Sequence, residues 1–384
     1  MPNLKGLLPN RPSEILQMIK RTLKIFLSVL ITYLCIELVC IAFMHFKFRA
    51  SPRPSFTWHW KYAQYDFPFA EINPIWGMWH YPGHRVEEKS CFKVDYYCNS
   101  YGARDVEREQ KTDSNRVVVL GDSFMEGYGI QAADRLSNQL EKLTGTPVLN
   151  FACGYFTPTQ ELLVYENLAK KFSHNKIIIG ILPFNDLNED DSSFHEQDGF
   201  IHYRPFLEGN FPNYQLIYRE DSISKSTFNK SGYEAIQNRP AARWRRFLKA
   251  NTYWYNLYHY IRAIHARPAQ PRSYSGYFDF TKPELEKLNY ILGRLKQAAG
   301  QREIYVLTLP VKQDFARTKD GNSPLRQRMQ LICENLGIHY IDLLYEMNKT
   351  NHNPDSLFLE CDGHWNQNAN KLAAQIIVPL LSKQ

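Results

Sequence analysis

At 384 residues and 44% hydrophobic content, the chain can bury the core of one large domain or two smaller ones, which argues against disorder as its main state. Its 46 basic residues exceed 39 acidic ones by only +7, and the excess is spread out. The one basic cluster, Arg243, Arg245, Arg246 and Lys249, reads as the solvated face of a helix, so nucleic acid is not expected as a partner.

The first element is Ile25 to Phe46, a mostly apolar run long enough at 1.5 Å per residue to cross a hydrocarbon core about 30 Å thick. It predicts a retained transmembrane helix, because a cleaved signal peptide has a shorter apolar region and a small-residue cleavage site. Glu37 interrupts the run and is expected to be protonated or to face a partner helix. Basic residues flank both ends, Arg11, Lys20, Arg21 and Lys24 before and Lys47, Arg49, Arg53 and Lys61 after, so charge does not set the orientation. A short N-terminal segment before one long domain points to export of that domain.

Residues Phe56 to Asn99 are rich in Trp, Tyr, His and Pro and show no helical period, which predicts an irregular lead-in packed on the main domain. Cys91 and Cys98 are spaced for a bridge outside the cytosol, a pairing the sequence leaves open. No cysteine spacing is of the zinc type. After a turn at Asn99 to Asp105 a strand and helix alternation begins. Strands are expected at Arg116 to Leu120, Val148 to Phe151 and Lys176 to Leu182, with helices at Ala133 to Leu143 and Gln160 to Phe172. That rhythm predicts a parallel sheet flanked by helices.

Each of the three strands releases small polar groups at the same edge of the sheet, where open α/β folds bind ligands. The first ends in Gly121-Asp122-Ser123, the second leads to Gly154, and the third to Asn185-Asp186. A glycine lets a backbone N–H approach a bound atom and an asparagine amide is a neutral donor; both suit an oxyanion hole. About 100 residues then intervene before the strand Glu303 to Thr308, too many for a structureless loop. Within them, residues 243 to 264 carry helical apolar spacing, which predicts a helical cap beside the site. The helix Lys282 to Ala299 and the strand Ile338 to Ile341 return the chain to the sheet. Near the C-terminus, Asp362 and His364 precede an amphipathic helix with apolar residues at 369, 372, 373, 376, 377, 380 and 381. Two residues apart in an extended segment, the carboxylate can hold one imidazole nitrogen while the other takes a serine proton.

Ser123, Gly154, Asn185 and Asp362-Gly363-His364, in this order, resemble the blocks of the SGNH, or GDSL, hydrolase superfamily over roughly residues 99 to 381. The resemblance implies a flavodoxin-like three-layer α/β/α sandwich with a parallel sheet, ester chemistry at a serine, and neither cofactor nor metal. It assigns catalysis to Ser123, His364 and Asp362, an oxyanion hole to Ser123, Gly154 and Asn185, and support to Asp122 and Asp186. Three departures stand out. Pro183 replaces the usual glycine of the asparagine block; the short step from Asn150 leaves Gly154, Tyr155 and Ala152 as candidate backbone donors; and the Asp and His are two apart rather than three, as in a branch that includes periplasmic polysaccharide O-acetyltransferases. Cys153 and Cys361 flank site residues and are expected to lie close, with no role assigned.

The expected organisation is a cytoplasmic segment 1–24, an anchor 25–46, the lead-in 47–112 and a catalytic domain 113–384 with the cap at about 188–285, held at a bacterial inner membrane with the domain in the periplasm. The leading function is a serine esterase removing acyl groups, O-acetyl among them, from an envelope glycan or lipid. The alternatives are an O-acyltransferase of cell-surface polysaccharide fed by a membrane acyl-donor partner, and a non-catalytic glycan-binding or assembly protein.

Overall fold

The computed structural model describes residues 12–47, 70–80, 82–89, 91–113, 115–192, 203–219, 240–266, 274–350 and 353–381. Expectations that fall on the remaining residues, including the start of the lead-in and parts of the cap, lie outside the described residues.

The N-terminal helix α1 (Pro12–Lys47) contains a run, Ile15–Phe43, long and apolar enough to cross a membrane, and most of its side chains are exposed. Two hairpins follow: β1 (Ala70–Asn73) with β2 (Gly77–His80), and β3 (Gly83–Lys89) with β4 (Phe92–Cys98). An irregular lead-in was expected here, but in β4 the period of two is plain. Val94, Tyr96 and Cys98 point inward while Lys93, Asp95 and Tyr97 face out, which is the pattern of a half-buried strand.

The central sheet has five parallel strands, β5 (Val117–Leu120), β6 (Val148–Asn150), β7 (Lys176–Ile181), β10 (Glu303–Thr308) and β11 (His339–Asp342). Their spatial order is β11-β10-β7-β5-β6. Numbered within the sheet this is 2-1-3-4-5, the flavodoxin-like order, so the expected fold class holds. Val117 to Leu120 and Ile177 to Ile179 are almost wholly buried, as branched side chains in a sheet covered on both faces must be. One helical layer comprises α4 (Pro158–Asn167), α8 (Lys282–Ala299) and α10 (Pro324–Leu336); the other comprises α3 (Leu136–Thr144), α11 (Leu343–Asn348) and α12 (Gln367–Leu381). On α12 the residues Ala369, Leu372, Ala373, Ile377 and Leu381 are buried, the apolar stripe read from the sequence.

Short helices α2 (Ser123–Glu126), α5 (Asp186–Glu189) and α9 (Lys312–Arg317) start just beyond strands β5, β7 and β10. The chain leaves β5 toward β6 on one side and returns to β7 on the other, so the sheet reverses direction between β5 and β7. In open α/β sheets the ligand crevice lies at such a reversal of strand order. The described part of the long insertion opens with a hairpin, β8 (Arg204–Asn210) and β9 (Asn213–Arg219), followed by helices α6 (Pro240–Asn251) and α7 (Tyr253–Ala266). The helical spacing is borne out, but α6 packs on α7 and α7 packs on α1. The hairpin is the part that meets α4 and β2.

Candidate active site

Strand β5 ends in Gly121, whose φ of +148° and closeness to Met125 exclude a side chain: a Cβ there would stand 2.4 Å from Met125 Cγ. Asp122, fully buried, caps α2 by accepting the Phe124 N–H at 2.9 Å. Burial pushes its carboxyl up to about 6. This tight strand-to-helix turn puts Ser123 at the first position of α2, and its N–H makes no hydrogen bond in the structure.

The Ser123 hydroxyl lies 2.9 Å from His364 Nε2, across 241 residues of sequence. His364 Nδ1 is bonded to Asp362 Oδ1. Nδ1 facing a carboxylate assigns the proton to that nitrogen and leaves the Nε2 lone pair toward the serine. The segment carrying both residues is a hairpin-like loop. Phe358 bridges Trp365, Leu359 N–H donates to His364 O at 2.8 Å, and Gly363 N–H donates to Leu359 O at 3.1 Å. Trp365, 2% exposed, is anchored by its indole N–H on Pro310 O at 2.9 Å. The imidazole is walled by Phe124 and Tyr128, with ring centroids at 4.9 and 4.7 Å. Neither neighbour lets it swing away from Ser123.

The expected oxyanion donors meet different fates. Asn185, at the start of α5, makes no side-chain hydrogen bond among the described residues, and its Oδ1 is buried without a partner there. Gly154 lies at the same edge, but its N–H is not open to a substrate: it donates to Glu126 Oε2 at 2.7 Å. This corrects the expectation that Gly154 stands ready as a donor. Glu126 projects from α2 one turn beyond the serine and reaches the glycine loop before any ligand does. The next residue, Tyr155, has a φ of +66°, a region non-glycine residues avoid, and a ring 68% exposed. Its carbonyl is held by Arg204, a buried guanidinium from β8 that also donates to Gln160 Oε1 at 2.8 Å.

Asp186 is buried and accepts the Leu182 N–H at 2.6 Å, which fixes the exit of β7. Burial, with the Asp122 and Glu161 charges close by, holds its carboxyl well above the usual range. Among the described residues no group of three or more His, Cys, Asp and Glu is arranged to hold a metal ion.

Several supporting residues escaped the sequence reading. Arg104, 1% exposed, donates to the carbonyls of Glu126 at 2.9 Å, Gly127 at 2.6 Å and Ile130 at 2.7 Å, with its guanidinium 3.8 Å from the Tyr96 ring centroid. It braces the turn that follows Ser123. The turn before β5, Asn99 to Asp105, was the available signal, but nothing local says what its arginine grips. His80, from β2, places Nε2 3.3 Å from Glu126 Oε1 and Nδ1 3.1 Å from Gly102 O. Asn150, at the end of β6, donates to Met125 O at 2.9 Å and ties the glycine loop to α2.

The cysteines also differ from expectation. Cys91 is disulfide-bonded to Cys361, not to Cys98, and Cys98 is a buried thiol. Cys153 is a buried thiol with Sγ 3.4 Å from His80 Nε2, and it forms no disulfide with Cys361. The bridge joins the β3–β4 hairpin to the residue before Asp362, closing a separation of 270 residues. Replacing both partners by serine is expected to cost about 2–4 kcal/mol of stability and to lower kcat by about 10- to 100-fold as the Asp362 loop loosens. Denaturant unfolding and steady-state kinetics on the double variant check both; an unchanged kcat would mean that Trp365 alone holds the loop.

No protein-family model matches the sequence, and no curated protein matches it. Among solved structures the chain is similar to a lipase/acylhydrolase from Enterococcus faecalis, with 11% identity and a TM-score of 0.36 over 70% of this chain and 95% of that one. It is likewise similar to the psychrotrophic esterase EstA from Pseudoalteromonas sp., at 11% identity and a TM-score of 0.36 over 70% and 98% of the two chains. A carbohydrate esterase family 2 enzyme from Corynascus thermopiles (Myceliophthora fergusii) gives 8% and 0.34 over 72% and 68%.

Proposed function

We propose that the chain is a serine esterase of the SGNH type, acting on an acyl ester through an acyl-serine intermediate. One observation carries the reading: Ser123 Oγ stands 2.9 Å from His364 Nε2 while Asp362 holds the opposite ring nitrogen. As Oγ attacks the ester carbonyl carbon, its proton passes to Nε2 and Asp362 stabilises the imidazolium. The carbonyl oxygen becomes an oxyanion, for which the unengaged Ser123 N–H and the Asn185 amide are the donors at hand. Collapse breaks the ester C–O bond, the leaving alcohol takes the proton from His364, and the acyl group stays on Ser123. Water, deprotonated by His364, then releases the acid and restores the serine.

The substrate we favour is an acylated glycan or lipid of the cell envelope, O-acetyl esters among them. The Cys91–Cys361 bridge suits an oxidising compartment, and α1 suits an anchor with the domain on the periplasmic side. A second reading, O-acyl transfer to a cell-surface polysaccharide, rests on the two-residue spacing of Asp362 and His364. There a sugar hydroxyl replaces water in the second half, and a membrane partner supplies the acyl group.

Fluorophosphonate labelling of the detergent-solubilised full chain tests the common step. The wild type is expected to label, and Ser123→Ala and His364→Ala are not. Labelling that persists in Ser123→Ala removes Ser123 as the nucleophile. Incubation with an acyl-labelled ester and an added oligosaccharide separates the two outcomes: free acid marks the esterase, label retained on sugar the transferase.

A further inference from the structure

We propose that α6 and α7 form a second membrane contact beside α1, seated in the acyl region of the leaflet nearest the catalytic domain. The inference rests on the reading of α1 as a membrane span. Lys24 is the last charged residue before the apolar run, and Glu37 lies thirteen residues on. At 1.5 Å per residue that is about 20 Å into a core about 30 Å thick, leaving about 10 Å to the far boundary. Glu37 is nevertheless only 9% exposed, and its Oε2 accepts the backbone N–H of Tyr253, the first residue of α7, at 2.8 Å. Cys40, one turn further along α1, is buried with it. Whatever touches Glu37 from the side sits at the depth of Glu37, so α7 begins below the headgroups.

Two features of the α6–α7 junction fit a site without water. The first N–H groups of a helix have no partner within it and in hydrocarbon must be satisfied by protein; the Glu37 carboxylate does this for Tyr253. It also explains an acid in an apolar run, where an unpaired carboxylate is costly. The polar side chains at the junction fold back on their own helix: Asn251 Nδ2 on Phe247 O at 2.7 Å, Thr252 Oγ1 on Leu248 O at 2.8 Å and Asn256 Nδ2 on Thr252 O at 2.6 Å. Each such bond leaves one fewer polar group that lipid would have to meet unpaired.

The outward residues suit lipid. Trp244 is 51% exposed, Tyr258 50% and Ile261 39%, large groups that a water-facing helix pair would not display together. Exposed Arg243 and Arg245 flank Trp244, the combination of aromatic and basic side chains found at the headgroup level. The occupant of this face is therefore the bilayer that α1 crosses, and the pair holds the active-site domain close to its surface.

Nitroxide scanning of the full chain in phosphatidylethanolamine/phosphatidylglycerol nanodiscs tests this. In a Cys35→Ala background, a spin label is placed singly at Leu30→Cys in α1, at Tyr258→Cys and Ile261→Cys in α7, and at Leu331→Cys on the exposed side of α10. Fluorophosphonate reactivity confirms that each labelled chain is folded. At positions 258 and 261 the ratio of oxygen to nickel-chelate collisions is expected to exceed that at 331 by about tenfold. Values equal to those at 331, with the label at position 30 in lipid, overturn the α7 contact and leave the anchor standing. A label at position 30 that is itself in water overturns the membrane reading of α1, and the α7 contact with it.

Discussion

Replacing Ser123 by alanine is expected to lower kcat by roughly 10⁴- to 10⁶-fold, with His364→Ala costing about the same and the double variant little more. The reason lies in the geometry. The hydroxyl at 2.9 Å from Nε2 and the imidazole held between Phe124 and Tyr128 act as one unit, so loss of either part ends nucleophilic attack. Asp362→Asn should cost about 10⁴-fold, because an amide in that place can donate to Nδ1 and so favours the tautomer with the proton on Nε2, the wrong side for accepting one from serine. Steady-state kinetics on a chromogenic short-chain ester, with circular dichroism as the folding control, measures all four variants. A double variant that loses the product of the two single effects would show that Ser123 and His364 do not work together. An Asp362→Asn enzyme within tenfold of wild type would take that carboxylate out of the unit.

Glu126→Ala is expected to lower stability by about 3–5 kcal/mol, a drop in Tm of about 10 °C, and to reduce kcat by about 100-fold. The side chain is 2% exposed and serves two groups at once, the Gly154 N–H at 2.7 Å and His80 Nε2 at 3.3 Å. Alanine strips the partner from the Gly154 N–H, a backbone donor that the fold has already removed from water, and such a group costs more unpaired than its bond contributes when made; it also removes the carboxylate facing His80, which keeps Gly102 O and Cys153 Sγ within reach. The loop they hold carries Gly154 and the strained Tyr155 beside Ser123, so its relaxation reaches the reacting atoms. Glu126→Gln separates position from charge, since its amide oxygen still accepts from Gly154 while the charge facing His80 is gone. The glutamine variant should recover most of kcat but only part of the stability. Thermal unfolding and kinetics of the pair decide it: an alanine variant within 1 kcal/mol of wild type in stability would mean that water takes the carboxylate's place.

The same residue shows how far sequence reasoning reaches. Glu126 stands three residues beyond Ser123 in plain view, yet the sequence offers only Gly154, with Tyr155 and Ala152 as alternatives, as the backbone donor to a substrate and gives no sign that Glu126 takes the Gly154 N–H. That a side chain from the serine helix intercepts this donor depends on how α2 and the loop after β6 are packed, which neither segment encodes alone. The helical period of 243 to 264 was legible in the same way, while its destination was not: whether an amphipathic pair covers an active site or lies on another helix depends on its partner, here α1 through Glu37 and Tyr253.

The sequence by itself determined what local chemistry controls. Branched apolar runs became buried parallel strands, the Gly121-Asp122-Ser123 turn became a tight strand-to-helix corner, and Asp362-Gly363-His364 joined carboxylate to imidazole across one turn. The meeting of Ser123 with His364 across 241 residues was expected only through the family resemblance, and tertiary structure alone decided the meeting of Cys91 with Cys361 across 270 and of Arg104 with three carbonyls of the serine turn. Strand, helix and turn preferences act over a few residues, whereas a disulfide or a buried hydrogen bond records where chain folding brings two surfaces into contact, and no period in the sequence carries that address.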